Sequence, residues 1–329
     1  MRWLYRMDGL IANHMTTVSV LMVAFGVVFP SVFSRMTPFV TFFFACMTFC
    51  NCLGAGFREM WEIVRHPLPV LVTLALVHVV QPLIALGAGW LLFPGEPGFV
   101  TGLVLEFTVP TAILSLMWTD LSRGNLNLTL SIVLLDTLLS PFVLPLSLQV
   151  LLGSVVEIET WSMMKSLAAM VALPALAAML LHRVSGGRAT RYLKPRLSPF
   201  GKLFMILIGL TNSTGCAQFF RSPTPTLALL IAVIVALCLL SFWISYWAAR
   251  WLKLDFPGVE SVTLCGGMRN ISAGSALALQ YFTPQALFPV ALTPTFIQAL
   301  ASVICRLLRR TRQGQADQAA YERGRANPL

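Results

Sequence analysis

Leu264-Cys265-Gly266-Gly267-Met268-Arg269-Asn270 sits near the middle of a long apolar run, in a chain built almost entirely of such runs. The stretch puts two glycines and a full positive charge where the hydrocarbon centre of a membrane belongs. Glycine inside a helix costs about 1 kcal/mol relative to alanine. A lone charge at the bilayer centre costs roughly 2.5–3.5 kcal/mol even on insertion scales. Two such costs side by side mark the place to look for function.

The surrounding composition decides the fold class. The chain has 329 residues, 57% hydrophobic and 11% charged, with a mean hydropathy of +0.78. Soluble domains carry about 25% charged residues. The apolar runs reach about 20 residues, long enough to cross about 30 Å of hydrocarbon as helix. They lack the ten-residue alternation of a membrane barrel. The fold class expected is therefore all-α integral membrane.

Ten spans can be drawn, at about 15–30, 37–53, 67–93, 98–121, 126–152, 160–181, 199–219, 225–252, 258–282 and 284–308. Arg58-Glu59-Met60-Trp61-Glu62 reads as an interfacial connector, and His182 to Arg196 as a basic linker. The opening Arg2 and Arg6 before an apolar run resemble a signal peptide only weakly. Asp8, Asn13 and His14 interrupt the run, so it reads as a retained first helix. The polar tail 311–329 is expected to stay disordered.

The net charge of +10 is explained by topology rather than by nucleic acid. Nineteen Lys and Arg residues fall on the side of the two termini, three on the other, and Arg269 lies inside a span. The positive-inside rule then places both termini in the cytoplasm, and a plasma membrane is the expected location. The seven cysteines lie in or beside apolar spans and make no disulfide framework. Cys46, Cys50 and Cys52 have no histidine or carboxylate among them and read as packing residues.

The spans divide five plus five, at 1–155 and 156–310, and odd-numbered halves in tandem lie in opposite orientations. The fourth span of each half is interrupted, by Pro110 in one and by Gly266 and Gly267 in the other. Interrupted segments at matching positions of two halves point to a transporter's binding site. Two ordinary kinks are the plainer alternative.

Ionisable groups share that depth. Asp136 lies ten residues into the fifth span, roughly 15 Å deep at 1.5 Å per residue. Thr129, Val133 and Asp136 share one helix face by spacing. Glu106 stands one turn before Pro110, and Ser115 and Thr119 follow the break, where a half-helix N-terminus attracts an anion. Arg269 pairs with Asp136 or Glu106, or shares an aqueous cavity with them; a purely structural pair that sets helix register is the alternative. His78 and Gln81 read as interhelical hydrogen-bonding residues. Within Thr211-Asn212-Ser213-Thr214, cavity lining and helix cross-linking are equally open. Soluble-enzyme motifs, including the phosphate-binding loop and the H-E-x-x-H zinc site, are missing, and so is any cofactor signature.

Several of these residues resemble the bile acid:sodium symporter family. They are Pro110, Ser115, Arg123-Gly124-Asn125, Thr137-Leu138-Leu139-Ser140-Pro141, Pro145 and Gly267-Met268-x-Asn270. The resemblance implies ten helices in two inverted repeats, a panel domain of spans 1, 2, 6 and 7, and a core of spans 3–5 and 8–10. Broken helices 4 and 9 cross in the core, the substrate binds between the domains, and two sodium ions sit beside the crossing. The chain departs from the family where sodium binds. The family's serine-asparagine pair falls on Ser115 and Leu116, and its serine and threonine on Thr129 and Val133. Its glutamate falls on Cys265 and its glutamine on Arg269. A hard cation wants several oxygen ligands. Ser115, Thr129 and Asn270 are the residual candidates, and Arg269 stands ready to replace sodium's charge.

The reading is thus a secondary transporter of small organic anions in a lipid bilayer, with no enzyme activity, no cofactor and no oligomer implied. Its coupling ion is a proton on Asp136 or Glu106, or sodium at a rebuilt site. A non-transporting membrane sensor or scaffold is the rival class, and arsenite efflux lacks the cysteine it wants in the fourth span.

Overall fold

The computed structural model describes residues 14–56, 67–154, 156–311 and 314–316. The connector 58–62, the arginines at 2 and 6 and most of the tail lie outside the described residues. The described chain is helical. Its extended pairs are isolated bridges, Leu53 with Ala55 and Thr111 with Arg269.

In chain order the principal helices are α1 (Met15–Val28), α2 (Val40–Cys52), α3 (Pro67–Ala75), α4 (Gln81–Leu92), α5 (Pro97–Thr108), α6 (Leu114–Ser122), α7 (Leu126–Leu152) and α8 (Thr160–Leu167). They continue as α9 (Leu173–Val184), α10 (Arg188–Ser213), α11 (Pro225–Trp251), α12 (Phe256–Gly267), α13 (Ile271–Tyr281), α14 (Pro284–Leu292) and α15 (Pro294–Arg310). Seven helical stretches are long and apolar enough to cross a membrane: Pro30–Cys52, Pro67–Leu92, Leu126–Leu152, Thr160–Val184, Arg188–Arg221, Pro225–Trp251 and Pro284–Arg310. A shorter apolar helix covers Thr17–Val28. The protein is a multi-pass membrane protein.

Local chemistry sets many of the boundaries. Asn125 caps α7 by accepting from the Leu128 N–H (3.0 Å), and Asp255 caps α12 through the Gly258 N–H (3.0 Å). Each cap satisfies a donor that the first turn leaves open. Two π-turns, Leu76–Val80 and Ala168–Ala172, each run directly into an X-Pro pair, Gln81-Pro82 and Leu173-Pro174. Proline removes an N–H and crowds the carbonyl four residues back, and a widened turn relieves both. Pro141 inside α7 is handled differently. The carbonyl it leaves open, on Thr137, accepts from the Ser140 hydroxyl at 2.8 Å.

Two sequence expectations are corrected here. Most of the basic stretch 182–196 is helix rather than linker. Polar side chains do not end a helix, and the interruption is confined to Ser185, Gly186 and Gly187, where both glycines have positive φ. The last apolar segment is also divided, into α14 and α15 at Thr293 before Pro294.

The core elements pack closely around the two interrupted segments. Helix α5 lies against α4 and α14, α12 lies against α11, and α10 packs on α1 and α2. Glycines permit these approaches. A Cβ on Gly102 would stand 2.4 Å from the Ala286 carbonyl oxygen, and one on Gly209 would stand 2.8 Å from the Met22 sulfur.

Candidate substrate site at the helix crossing

Helix α5 ends at Thr108, and Val109 turns extended (φ −59°, ψ 148°), as the residue before a proline tends to. The backbone stays unwound to Ile113. Helix α12 ends at Gly267, and Met268 is extended (φ −105°, ψ 126°). The second break therefore comes after the glycines, over Met268-Arg269-Asn270, and not at Gly266 and Gly267 themselves. The glycines serve close packing. A Cβ on Gly266 would meet the Ser245 Oγ at 2.1 Å, and one on Gly267 would meet the Phe242 Cδ1 at 2.1 Å.

Unwound backbone inside a bilayer needs partners for its polar groups. Here the two breaks pair with each other. The Asn270 N–H donates to the Pro110 carbonyl (2.7 Å) and the Ala112 N–H to the Met268 carbonyl (3.0 Å), making the antiparallel bridge between Thr111 and Arg269. Side chains take several of the remaining groups. The Thr111 N–H donates to Asp136 Oδ2 (2.7 Å), the Thr111 hydroxyl to the Cys265 carbonyl (3.1 Å), and the Gln81 amide to the Gly266 carbonyl (2.9 Å). Asn270 caps α13 through the Ala273 N–H (3.4 Å).

The charged residues are arranged differently from the simplest expectation. Among the described residues no ion pair joins Arg269 to Asp136 or Glu106. Arg269 Nη2 donates to Gln81 Oε1, while Nε and Nη1 have no hydrogen-bond partner among the described residues. Asp136 instead meets His78, with Nε2 and Oδ1 2.5 Å apart. Glu106 is fully buried, and neither of its oxygens has a hydrogen-bond partner among the described residues. His78 and Gln81, which read from sequence as interhelical residues, are the groups that hold the two central charges.

The remaining candidates are buried and internally engaged. The Ser115 hydroxyl donates to the Ala112 carbonyl (2.7 Å) and lies 3.9 Å from the Cys265 sulfur. The Thr119 and Thr129 hydroxyls share a hydrogen bond at 3.1 Å. No group of three or more His, Cys, Asp or Glu side chains suited to a metal ion occurs among the described residues. The turn Arg123-Gly124-Asn125 docks on the start of α12. Arg123 is left-handed (φ 64°), and the Asn125 N–H donates to the Pro257 carbonyl (3.0 Å).

A cavity of about 400 Å³ lies between the crossing and the helices α1, α2 and α10, with α15 at its side. Arg269, Asn270, Ile271 and Ser272 line one wall, with Ala112 to Leu114 from the other break. Opposite them α10 presents Gly201, Lys202, Met205, Gly209, Asn212 and Ser213, a helical stripe. Arg269 and Lys202 are its charged lining residues, and no carboxylate lines it among the described residues. Asn212 Oδ1 is buried, with no hydrogen-bond partner among the described residues. Of the polar run at 211–214, Asn212 and Ser213 line the cavity, while the Thr211 and Thr214 hydroxyls bond to backbone carbonyls of their own helical segment. Ser115, Thr129, Asp136, Glu106 and Cys265 do not line it. Lys202 escaped the sequence reading because it closes the basic half of α10, in a run of charges that reads as topology. The faces of α10 that meet the core become visible only once the helices are rotated into place.

The model of the sodium bile acid symporter family matches residues 41–222. The uncharacterized protein YbaS of Bacillus subtilis (strain 168) is 37% identical over 271 residues, covering 82% of this chain and 89% of that protein. The uncharacterized sodium-dependent transporter YocS of the same organism is 25% identical, covering 81% of this chain and 82% of that protein. The chloroplastic probable sodium/metabolite cotransporter BASS1 of Arabidopsis thaliana is 25% identical over 89% of this chain and 72% of its own length. YocS and BASS1 carry transport names, and the members of the matched family are transporters rather than enzymes. The chain belongs to the sodium bile acid symporter family and is a multi-pass membrane transporter of a small-molecule substrate.

Proposed function

We propose that the protein is a secondary transporter of small organic anions, working by alternating access, in which Arg269 supplies the positive charge that sodium supplies in its relatives. The observation that carries this reading is the cavity lining. Arg269 lines it, its buried Nε and Nη1 have no hydrogen-bond partner among the described residues, and no carboxylate among the described lining residues opposes it. Unpaired guanidinium donors in a low-dielectric wall attract an anion strongly.

The larger frame goes with this reading. Ten spans form two inverted halves, 1–155 and 156–310, with α5/α6 and α12/α13 as the broken fourth and ninth helices. The panel moves against the core, and the substrate rides between them. Both termini lie in the cytoplasm and the membrane is the plasma membrane. The coupling ion is a proton held near Asp136 or Glu106.

A second reading keeps sodium, at a site rebuilt from Ser115, Thr129, Asn270 and backbone carbonyls. The names of YocS, a sodium-dependent transporter, and BASS1, a probable sodium/metabolite cotransporter, favour it. Against it, the positions where the resemblance places glutamate and glutamine carry Cys265 and Arg269, a thiol and a guanidinium in place of two oxygen ligands.

The test is counterflow in proteoliposomes with a radiolabelled bile salt, a keto acid and a hydroxy acid in turn. Saturable exchange of one of them, falling at least about tenfold in Arg269→Gln, a loss of about 1.4 kcal/mol in binding, supports the reading. Exchange of none, or exchange untouched by R269Q, overturns it.

A further inference from the structure

Asp136 spends one oxygen on the crossing, accepting the Thr111 N–H at 2.7 Å, and turns the other toward His78. His78 stands in the π-turn Leu76–Val80, and its side chain is 8% exposed. At 2.5 Å, Nε2 and Oδ1 must have a proton between them, because two lone pairs at that distance repel. The other ring nitrogen, Nδ1, is buried and has no hydrogen-bond partner among the described residues. Histidine is the side chain whose charge changes most readily near neutral pH, and π-turns recur at functional sites.

We infer that His78 and Asp136 form a proton-binding site, in which one proton bridges Nε2 and Oδ1 and a second binds at Nδ1. The uptake forms an N–H bond at Nδ1 and breaks an O–H bond of a hydronium ion, leaving water. The groups facing the pair are few. Asp136 comes from α7; Arg269 from the second break and Cys265 from α12 act on it electrostatically, and Glu106 of α5 acts on Arg269 rather than on the pair. His78 has no other titratable residue on α3 or α4.

The arrangement deepens the transport reading and rests on it for its consequence, which is charge balance. An anion arriving at Arg269 brings one negative charge into a low-dielectric site. A proton on Nδ1 brings one positive charge to the neighbouring carboxylate. Two opposite charges entering together cost less than either alone. The same pair is mechanically tied to the crossing, since Asp136 also holds the Thr111 N–H.

The test needs no substrate, so its failure is distinct from a failure of transport. The purified protein in lipid nanodiscs is labelled with 15N-histidine and followed by NMR from about pH 9 to about pH 5, the range where imidazoles titrate. Removing His14, His66 and His182 leaves His78 as the single labelled imidazole, so the assignment does not depend on the folding of His78→Gln. The expected result is a far-downfield, exchange-protected Nε2–H signal that Asp136→Asn abolishes, and an Nδ1 signal that passes from lone-pair to N–H character across the range. An Nδ1 signal fixed in one state throughout, or a downfield signal indifferent to D136N, overturns the inference.

Discussion

The Asn270 N–H donates to the Pro110 carbonyl at 2.7 Å, so each helix break is closed by the other. This reciprocity explains why unwound backbone persists at membrane depth. It also bears on what surrounds it, because several further freed groups at the crossing call a side chain into place. Thr111, Asp136 and Gln81 answer that call, and Asp136 and Gln81 in turn position His78 and Arg269.

Gln81 joins Arg269 to the Gly266 carbonyl, and two substitutions separate its roles. Gln81→Leu leaves the guanidinium and the carbonyl each without a partner, at about 1–3 kcal/mol per buried group. Thermal unfolding in detergent reads this as a clear loss of stability. Gln81→Glu keeps an acceptor for Arg269 and cancels its charge. It is expected to hold the stability better than Q81L while losing anion exchange, measured by counterflow.

Gly267 lies against Phe242, where a Cβ would come within 2.1 Å of the ring. Gly267→Ala is expected to destabilise the protein by about 1–3 kcal/mol, the usual cost of overpacking. Gly87 has open space around the same added atom and serves as the control. Equal melting temperatures for G267A and G87A would remove close packing as the reason for the glycine.

Asp136 loses its acceptor at one oxygen in Asp136→Asn, facing both an imidazole and the Thr111 N–H. Breaking a buried charged pair by changing one partner costs about 3–5 kcal/mol. A melting temperature close to wild type would show that the crossing does not depend on this carboxylate.

Cys265 and Arg269 occupy the positions where the family resemblance places glutamate and glutamine. The double change Cys265→Glu with Arg269→Gln is expected to restore a cation requirement, seen as uptake that rises with sodium and saturates. Uptake by the double variant that ignores sodium would detach these two positions from ion choice.

Much of this was legible in the residues. The span at 126–152 was read to the residue, because Asn125 caps its start and Gly153 follows its end. Pro110 located the first break, since proline both lacks a donor and extends the residue before it. The second break was read two residues early, because Gly266 and Gly267 look like helix breakers when they are contact glycines under Phe242 and Ser245. The partners of the charges were not legible. Asp136 and Arg269 are both at mid-depth, yet which side chain each meets depends on how α4, α7 and α12 are rotated about their axes. Hydropathy gives depth, and it carries no information on that rotation. The same limit hid Lys202 and split Asn212 from Thr211.

The central claim is that a built-in guanidinium has replaced the sodium ion, and sodium replacement tests it most directly. Uptake of the exchanged anion into proteoliposomes is measured with sodium exchanged for potassium at constant ionic strength and constant pH gradient. The account predicts the same initial rate in both salts. A saturable rise with sodium in the wild-type protein would contradict it.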